Sequence, residues 1–93
     1  MKNPRIKGCF VVQNDRGLHT RPSTELVKCA TTFKSTILLQ HKKFRVNAKS
    51  LLGILMLAAQ KGAKIQIEAE GPDAKKAVRA LLALAKKKFL IKY

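Results

Sequence analysis

Lys64-Ile65-Gln66-Ile67-Glu68-Ala69-Glu70 alternates apolar and polar residues without a break. Successive side chains of a strand point to opposite sides, so Ile65, Ile67 and Ala69 share one face and the polar residues share the other. A sheet containing this strand has one dry face and one wet face, and the dry face needs a cover. Downstream, Gly71-Pro72-Asp73 reads as a turn into a helix, with Asp73 as its N-cap. That helix gathers Ala74, Ala77, Val78, Leu81, Leu84 and Ala85 on one stripe and turns Lys75, Lys76, Arg79 and Lys86 away. Upstream, Ser50 precedes the apolar run Leu51-Leu52-Gly53-Ile54-Leu55-Met56-Leu57 and carries the hydroxyl to cap it as a short helix.

Before that run, Thr36 to Gln40 and Phe44 to Asn47 read as two strands joined by a tight turn around His41-Lys42-Lys43. Either each of the two lysines takes a left-handed conformation, at roughly 1–2 kcal/mol apiece, or the turn is of another type. His41 is expected to sit exposed there. Ser23 to Phe33 reads as a helix, with Leu26, Ala30 and Phe33 on one side and Glu25, Lys28 and Thr32 elsewhere. Gly8 to Gln13, rich in β-branched and aromatic residues, is the first strand. The order is strand, helix, strand, strand, helix, strand, helix. Amphipathic helices beside a half-wet sheet imply an α+β fold of two layers, helices stacked on one face of four strands.

Ninety-three residues with 46% hydrophobic content suit one domain, 1–93, with 1–7 and 88–93 expected to fray. The longest nearly apolar run, Leu51 to Ala59, falls far short of the ~20 residues that cross a bilayer, and no signal-peptide core is evident, so no membrane insertion and a cytoplasmic location are expected. Cys9 and Cys29 are too few and too far apart for a metal motif and read as small buried residues; no metal and no cofactor are expected. Twenty Lys and Arg against five Asp and Glu leave a formal net charge of +15. Such a field speeds encounter with acidic partners. The basic residues are spread along the chain, with Lys86-Lys87-Lys88 as the single run and five aromatic residues in all, so a solvated basic surface is favoured over specific nucleic-acid binding.

The chemistry concentrates in Gly17-Leu18-His19-Thr20-Arg21-Pro22. Asn14-Asp15-Arg16-Gly17 is turn-rich, so His19 falls at or just before the start of the first helix. First-turn N–H groups lack intrahelical acceptors and carry partial positive charge, which stabilises an anion by roughly 0.3–1 kcal/mol. Pro22 gives up an N–H that would be an orphan anyway. Arg21 adds a permanent charge and a fork of donors shaped for phosphate oxygens. The plain alternative makes His19 a helix-end residue and Arg21 a solvated charge.

A second stretch, Val46-Asn47-Ala48-Lys49-Ser50-Leu51-Leu52-Gly53, weighs against that alternative. Together with Gly17 to Pro22, and with Lys61-Gly62-Ala63 and Ala69-Glu70-Gly71 later, it makes the chain from about Phe10 to Leu84 resemble the HPr family. These are the histidine-containing phosphocarrier proteins of the bacterial phosphoenolpyruvate-dependent sugar phosphotransferase system. The resemblance implies an open-faced β-sandwich of order βαββαβα, with an antiparallel sheet ordered 1-4-2-3 and three helices on one face. It implies phosphoryl relay: enzyme I phosphorylates His19 on Nδ1 as pros-phosphohistidine, Arg21 stabilises the phosphate, and an enzyme IIA domain of a sugar permease receives the group. The protein would then be a carrier and not a self-sufficient enzyme. Ser50 aligns with the regulatory serine phosphorylated by HPr kinase/phosphorylase, and Thr20, Leu51, Leu52 and Leu55 with the docking surface for partners. A monomer is the default.

The family's Asn-Gly turn is replaced here by Lys42-Lys43. Two family alternatives are a regulatory HPr-like protein acting through Ser50, which would normally lack the histidine, and a nitrogen-branch carrier, which would not be expected to offer the serine motif. A basic nucleic-acid-binding domain is the alternative from another class.

Overall fold

Ile65, Ile67 and Ala69 lie on the dry side of strand β4 (Lys64–Glu70), each essentially inaccessible to solvent. The computed structural model describes residues 5–93. β4 runs antiparallel between β1 (Arg5–Val11) and β2 (Thr36–His41), with β3 (Phe44–Asn47) beyond β2, so the sheet order is β1-β4-β2-β3. Phe10, Ile37 and Leu39 join the inward face of β4, and each buried isoleucine or leucine contributes about 1.5–3 kcal/mol relative to exposure. On the wet face Arg5 lies 3.5 Å from Glu68 and 3.6 Å from Glu70, while Arg45 lies 3.8 Å from Glu68.

The helical layer comprises α1 (Thr20–Thr31), α2 (Leu51–Met56) and α3 (Ala74–Lys86). Leu26 and Ala30 of α1, Ile54 of α2 and Ala74, Ala77, Val78, Leu81 and Ala85 of α3 face the sheet or one another in the core. α3 lies so close to β1 that a Cβ on Gly8 would stand 2.8 Å from Val78 Cγ1. Gly8 is thus a contact surface for the helix. The four strands, three helices and their order are those expected from the alternation and the apolar stripes.

Five local expectations change. α1 starts at Thr20, before Ser23, and ends at Thr31, before Phe33, because Pro22 is tolerated inside a first helical turn. Asp73 is the N-cap of α3 by position, but its side chain makes no cap bond. Its Oδ2 accepts from Lys34 N–H and its Oδ1 from Ser35 N–H, each at 2.9 Å, so the carboxylate fastens the α1–β2 loop instead. Cys9 is exposed, since strict alternation in β1 sends Phe10 inward and its neighbour outward; Cys29 is half-buried, and burial pushes its thiol pKa up. At the hairpin, Lys42 alone of the two lysines has a positive φ, 57°, so the turn needs one left-handed residue and not two. His41 is half-buried, with Nδ1 3.4 Å from the Lys64 carbonyl oxygen.

Parts of the two segments expected to fray take defined places in the structure. Residues 1–4 lie outside the described residues, and the segment from Arg5 onward is in β1. At the other end, Lys88–Leu90 forms a short turn in which Phe89 is 1% exposed and packs edge-on against Phe10, ring centroids 5.6 Å apart. Buried Asn14 donates from Nδ2 to the Lys88 carbonyl at 2.9 Å and to the Tyr93 carbonyl at 3.2 Å. Lys88, Phe89 and Leu90 all have positive φ (53°, 55° and 65°). Left-handed residues cost about 1–2 kcal/mol each. Burying Phe89 returns about 1.5–3 kcal/mol and each hydrogen bond about 0.5–1.5 kcal/mol. Strain and anchoring are therefore of similar size.

Candidate functional site

Gly17 fixes the approach to α1. Its φ is +69°, and a Cβ there would run into the Ala59 carbonyl oxygen, which accepts the Leu18 N–H at 2.9 Å. A glycine is required on both counts. Leu18 is buried, and its carbonyl accepts from the buried Ser23 hydroxyl at 2.9 Å. The backbone is thus held on each side of residue 19.

His19 is the N-cap of α1, extended at φ −77° and ψ −172°, and its side chain makes no cap bond. Its carbonyl accepts the Ser23 N–H at 3.0 Å. Pro22 has no N–H, so Thr20 and Arg21 carry the first-turn amides that no helical carbonyl accepts. The first turn holds no acidic residue. An imidazole half-exposed beside free amide donors, with nothing anionic in that turn, is placed to carry a negatively charged group.

Arg21 is exposed on the same turn, and its Nη1 donates to the Tyr93 hydroxyl at 2.7 Å. The Tyr93 ring stacks on His19, with centroids 5.9 Å apart and planes 16° from parallel, and His19 Nε2 lies 3.4 Å from the Tyr93 main-chain oxygen. The Arg16 and Arg21 guanidinium carbons lie 5.5 Å and 5.9 Å from the centre of the same ring. Residues 16, 19 and 21 therefore meet around an aromatic side chain more than seventy positions later.

Ser50 is the N-cap of α2, and its Oγ accepts the Gly53 N–H at 3.0 Å. Among the described residues no hydrogen bond joins it to His19 or Arg21; it forms a separate position at the start of another helix. The adjoining Lys49 is tied down by donating from Nζ to the Phe33 carbonyl at 2.7 Å. On α2, Leu52 and Met56 are about 70% exposed, Leu51 is at the edge of exposure and Leu55 is half-buried, while Ile54 supplies the inward face. Thr20 is exposed. Of the four residues expected to line a docking surface, Thr20, Leu51 and Leu52 are exposed and Leu55 is half-buried.

Sequence reasoning missed Asn14, Arg16 and Tyr93. Phe89, a lone large apolar residue directly after Lys86-Lys87-Lys88, was the available sign that the basic tail has an anchor. No spacing rule links residue 93 to residue 19.

The family model described as "PTS HPr component phosphorylation site" matches residues 6–87. The phosphocarrier protein HPr of Neisseria meningitidis is 40% identical over 79 residues, covering 85% of this chain and 89% of that protein. The HPr of Treponema pallidum is 40% identical over 78 residues, covering 84% and 89% respectively. The crystal structure of HPr-C-His from Thermoanaerobacter tengcongensis superposes with a TM-score of 0.89 at 34% identity, covering 95% of this chain and 99% of that one. The fold, the histidine-bearing helix start and these likenesses agree: the chain belongs to the HPr family, the phosphocarrier proteins of the bacterial phosphotransferase system that serves sugar transport.

Proposed function

We propose that this protein is a phosphoryl carrier that takes the group from phosphorylated enzyme I onto His19 and delivers it to an enzyme IIA domain in the cytoplasm. The observation that carries this reading is the N-cap imidazole of His19, which makes no cap bond and lies beside the Thr20 and Arg21 amides and the Arg21 guanidinium. A neutral ring nitrogen attacks phosphorus as the bond from phosphorus to the donor enzyme breaks. The reverse sequence hands the group to the acceptor. Free amides and Arg21 stabilise the charge while it resides on the ring. The partner proteins supply the remaining groups, as suits a family of carriers rather than catalysts.

Ser50 is the regulatory position, modified by HPr kinase/phosphorylase. A phosphate there adds about −1.5 to −2 charge at the N-cap, directly before Leu51 and Leu52, which with Thr20 and Leu55 belong to the docking face. Charge beside exposed leucines weakens docking without unfolding the domain. Exposed Leu52 and Met56 side chains on a chain of net charge +15 fit a transient acidic partner.

The test is a chase. Radiolabel from phosphoenolpyruvate is loaded through enzyme I, then an enzyme IIA domain is added. Label that moves to the acceptor supports the relay; label that never leaves enzyme I refutes it. A chain modified on Ser50 by the kinase, and inert at His19, would instead be a regulator.

A further inference from the structure

Both described contacts of the His19 ring are made by Tyr93: the stacked ring at 5.9 Å and the main-chain oxygen 3.4 Å from Nε2. The one described hydrogen bond of the Arg21 guanidinium also goes to Tyr93, at its hydroxyl. Residue 93 lies beyond the segment, 6–87, that matches the family model. We propose that Tyr93 is a positioning residue for the phosphoryl acceptor, setting the tautomer and orientation of His19 and the direction of Arg21. This rests on the carrier reading of His19.

The chemistry of each contact gives the role its content. The Tyr93 main-chain oxygen is an acceptor only, so the nitrogen facing it carries the proton, and in the neutral imidazole the lone pair then resides on Nδ1. Nδ1 has no partner among the described residues. Phosphorus must approach that lone pair in the plane of the ring. A stacked aromatic covers a face of the imidazole and leaves this edge open, so the stack fixes the ring without obstructing attack. The phenol acts similarly on Arg21. A carboxylate at 2.7 Å would cancel part of the guanidinium charge, whereas a neutral hydroxyl orients one Nη and leaves the charge and the other donors for the phosphoryl oxygens. Arg16 lies over the same ring and adds a second cation on that side. Asn14, donating to the Lys88 and Tyr93 carbonyls, keeps the tail in place for all of these contacts.

Tyr93 is 40% exposed, so its replacement leaves the core intact. The experiment uses the full chain, labelled with nitrogen-15 at histidine, as wild type, Tyr93→Phe and Tyr93→Ala. The ring-nitrogen NMR signals of His19 are read above its titration, and the rate of phosphorylation by phosphorylated enzyme I is measured beside them. The wild type is expected to show the tautomer protonated on Nε2. Tyr93→Phe keeps the stack and the main-chain oxygen, so it should retain that tautomer and lose roughly two- to threefold in kcat/KM through Arg21 alone. Tyr93→Ala keeps the main-chain oxygen but loses the stack that holds the ring against it, so it should mix the tautomers and lose about tenfold, with an unchanged melting temperature. The proposal is overturned if the wild type already shows mixed tautomers, if Tyr93→Ala leaves tautomer and rate unaltered, or if Tyr93→Ala is faster, which would make the tail a lid. Failure of the wild type to accept a phosphoryl group is a separate result: it refutes the carrier reading, and the NMR signals still decide whether Tyr93 holds the ring.

Discussion

Asp73 shows how a single residue can serve an element other than its own. Hydrogen bonds from the Ser35 hydroxyl first, and from the Lys34 N–H next, hold its carboxyl below the usual carboxylate range, at about 2. A carboxylate with a depressed folded pKa contributes stability that is present above its unfolded value near 4 and is lost as pH falls through the folded value. Urea midpoints measured from pH 5 to pH 2 should therefore fall between about pH 4 and pH 2, and Asp73→Asn should flatten that fall. An unchanged slope in the variant would show that other carboxylates carry the acid sensitivity. Sequence alone marked Asp73 as a helix cap, since Gly-Pro-Asp before an apolar stripe is a helix-start signal. Its actual partners sit thirty-eight and thirty-nine positions earlier, beyond the reach of any local pattern.

Among the elements, α2 and the tail 88–93 give opposite lessons. The Ser50 cap was legible because an N-cap bond is local: Oγ meets the N–H three residues on. Ser50→Ala should lower unfolding free energy by about 0.5–2 kcal/mol and leave phosphorylation of His19 by enzyme I unchanged. A large loss of His19 phosphorylation in that variant would mean that α2 shapes the acceptor itself. The tail could not be read, because a lysine-rich end with one phenylalanine has no periodicity, and its anchoring depends on Phe10 and Asn14 far away in sequence. Phe89→Ala removes a buried ring, a change that usually costs about 3–5 kcal/mol. Here the variant also releases three left-handed residues, so the net loss in denaturant titration should be only about 1–2 kcal/mol. A loss within the usual range would show that the turn is not strained. β4 was legible for the reason α2 was, since alternation is a property of adjacent residues, whereas the first strand, read as Gly8 to Gln13 from its β-branched and aromatic content, in fact runs Arg5–Val11.

At the scale of the whole molecule, the +15 charge acts through distance rather than contact. Ion pairs on the wet face absorb little of it, because five acidic residues are shared among twenty basic ones. If the proposed enzyme I docking presents an acidic face to α2 and the His19 turn, association should be steered, and steering gains of about 10–10³ fade as the Debye length shrinks from about 30 Å at 0.01 M salt to about 3 Å at 1 M. The second-order rate of phosphorylation should fall at least tenfold over that range, with little change in the single-turnover rate at saturation. A salt-independent rate would remove charge from the account of partner choice. The carrier role itself is tested most directly by intact-mass analysis after incubation with phosphoenolpyruvate and enzyme I, beside His19→Ala. One acid-labile phosphoryl adduct on the wild type, absent from the variant, is the predicted result; an unmodified wild type, or an adduct that persists in His19→Ala, would contradict it.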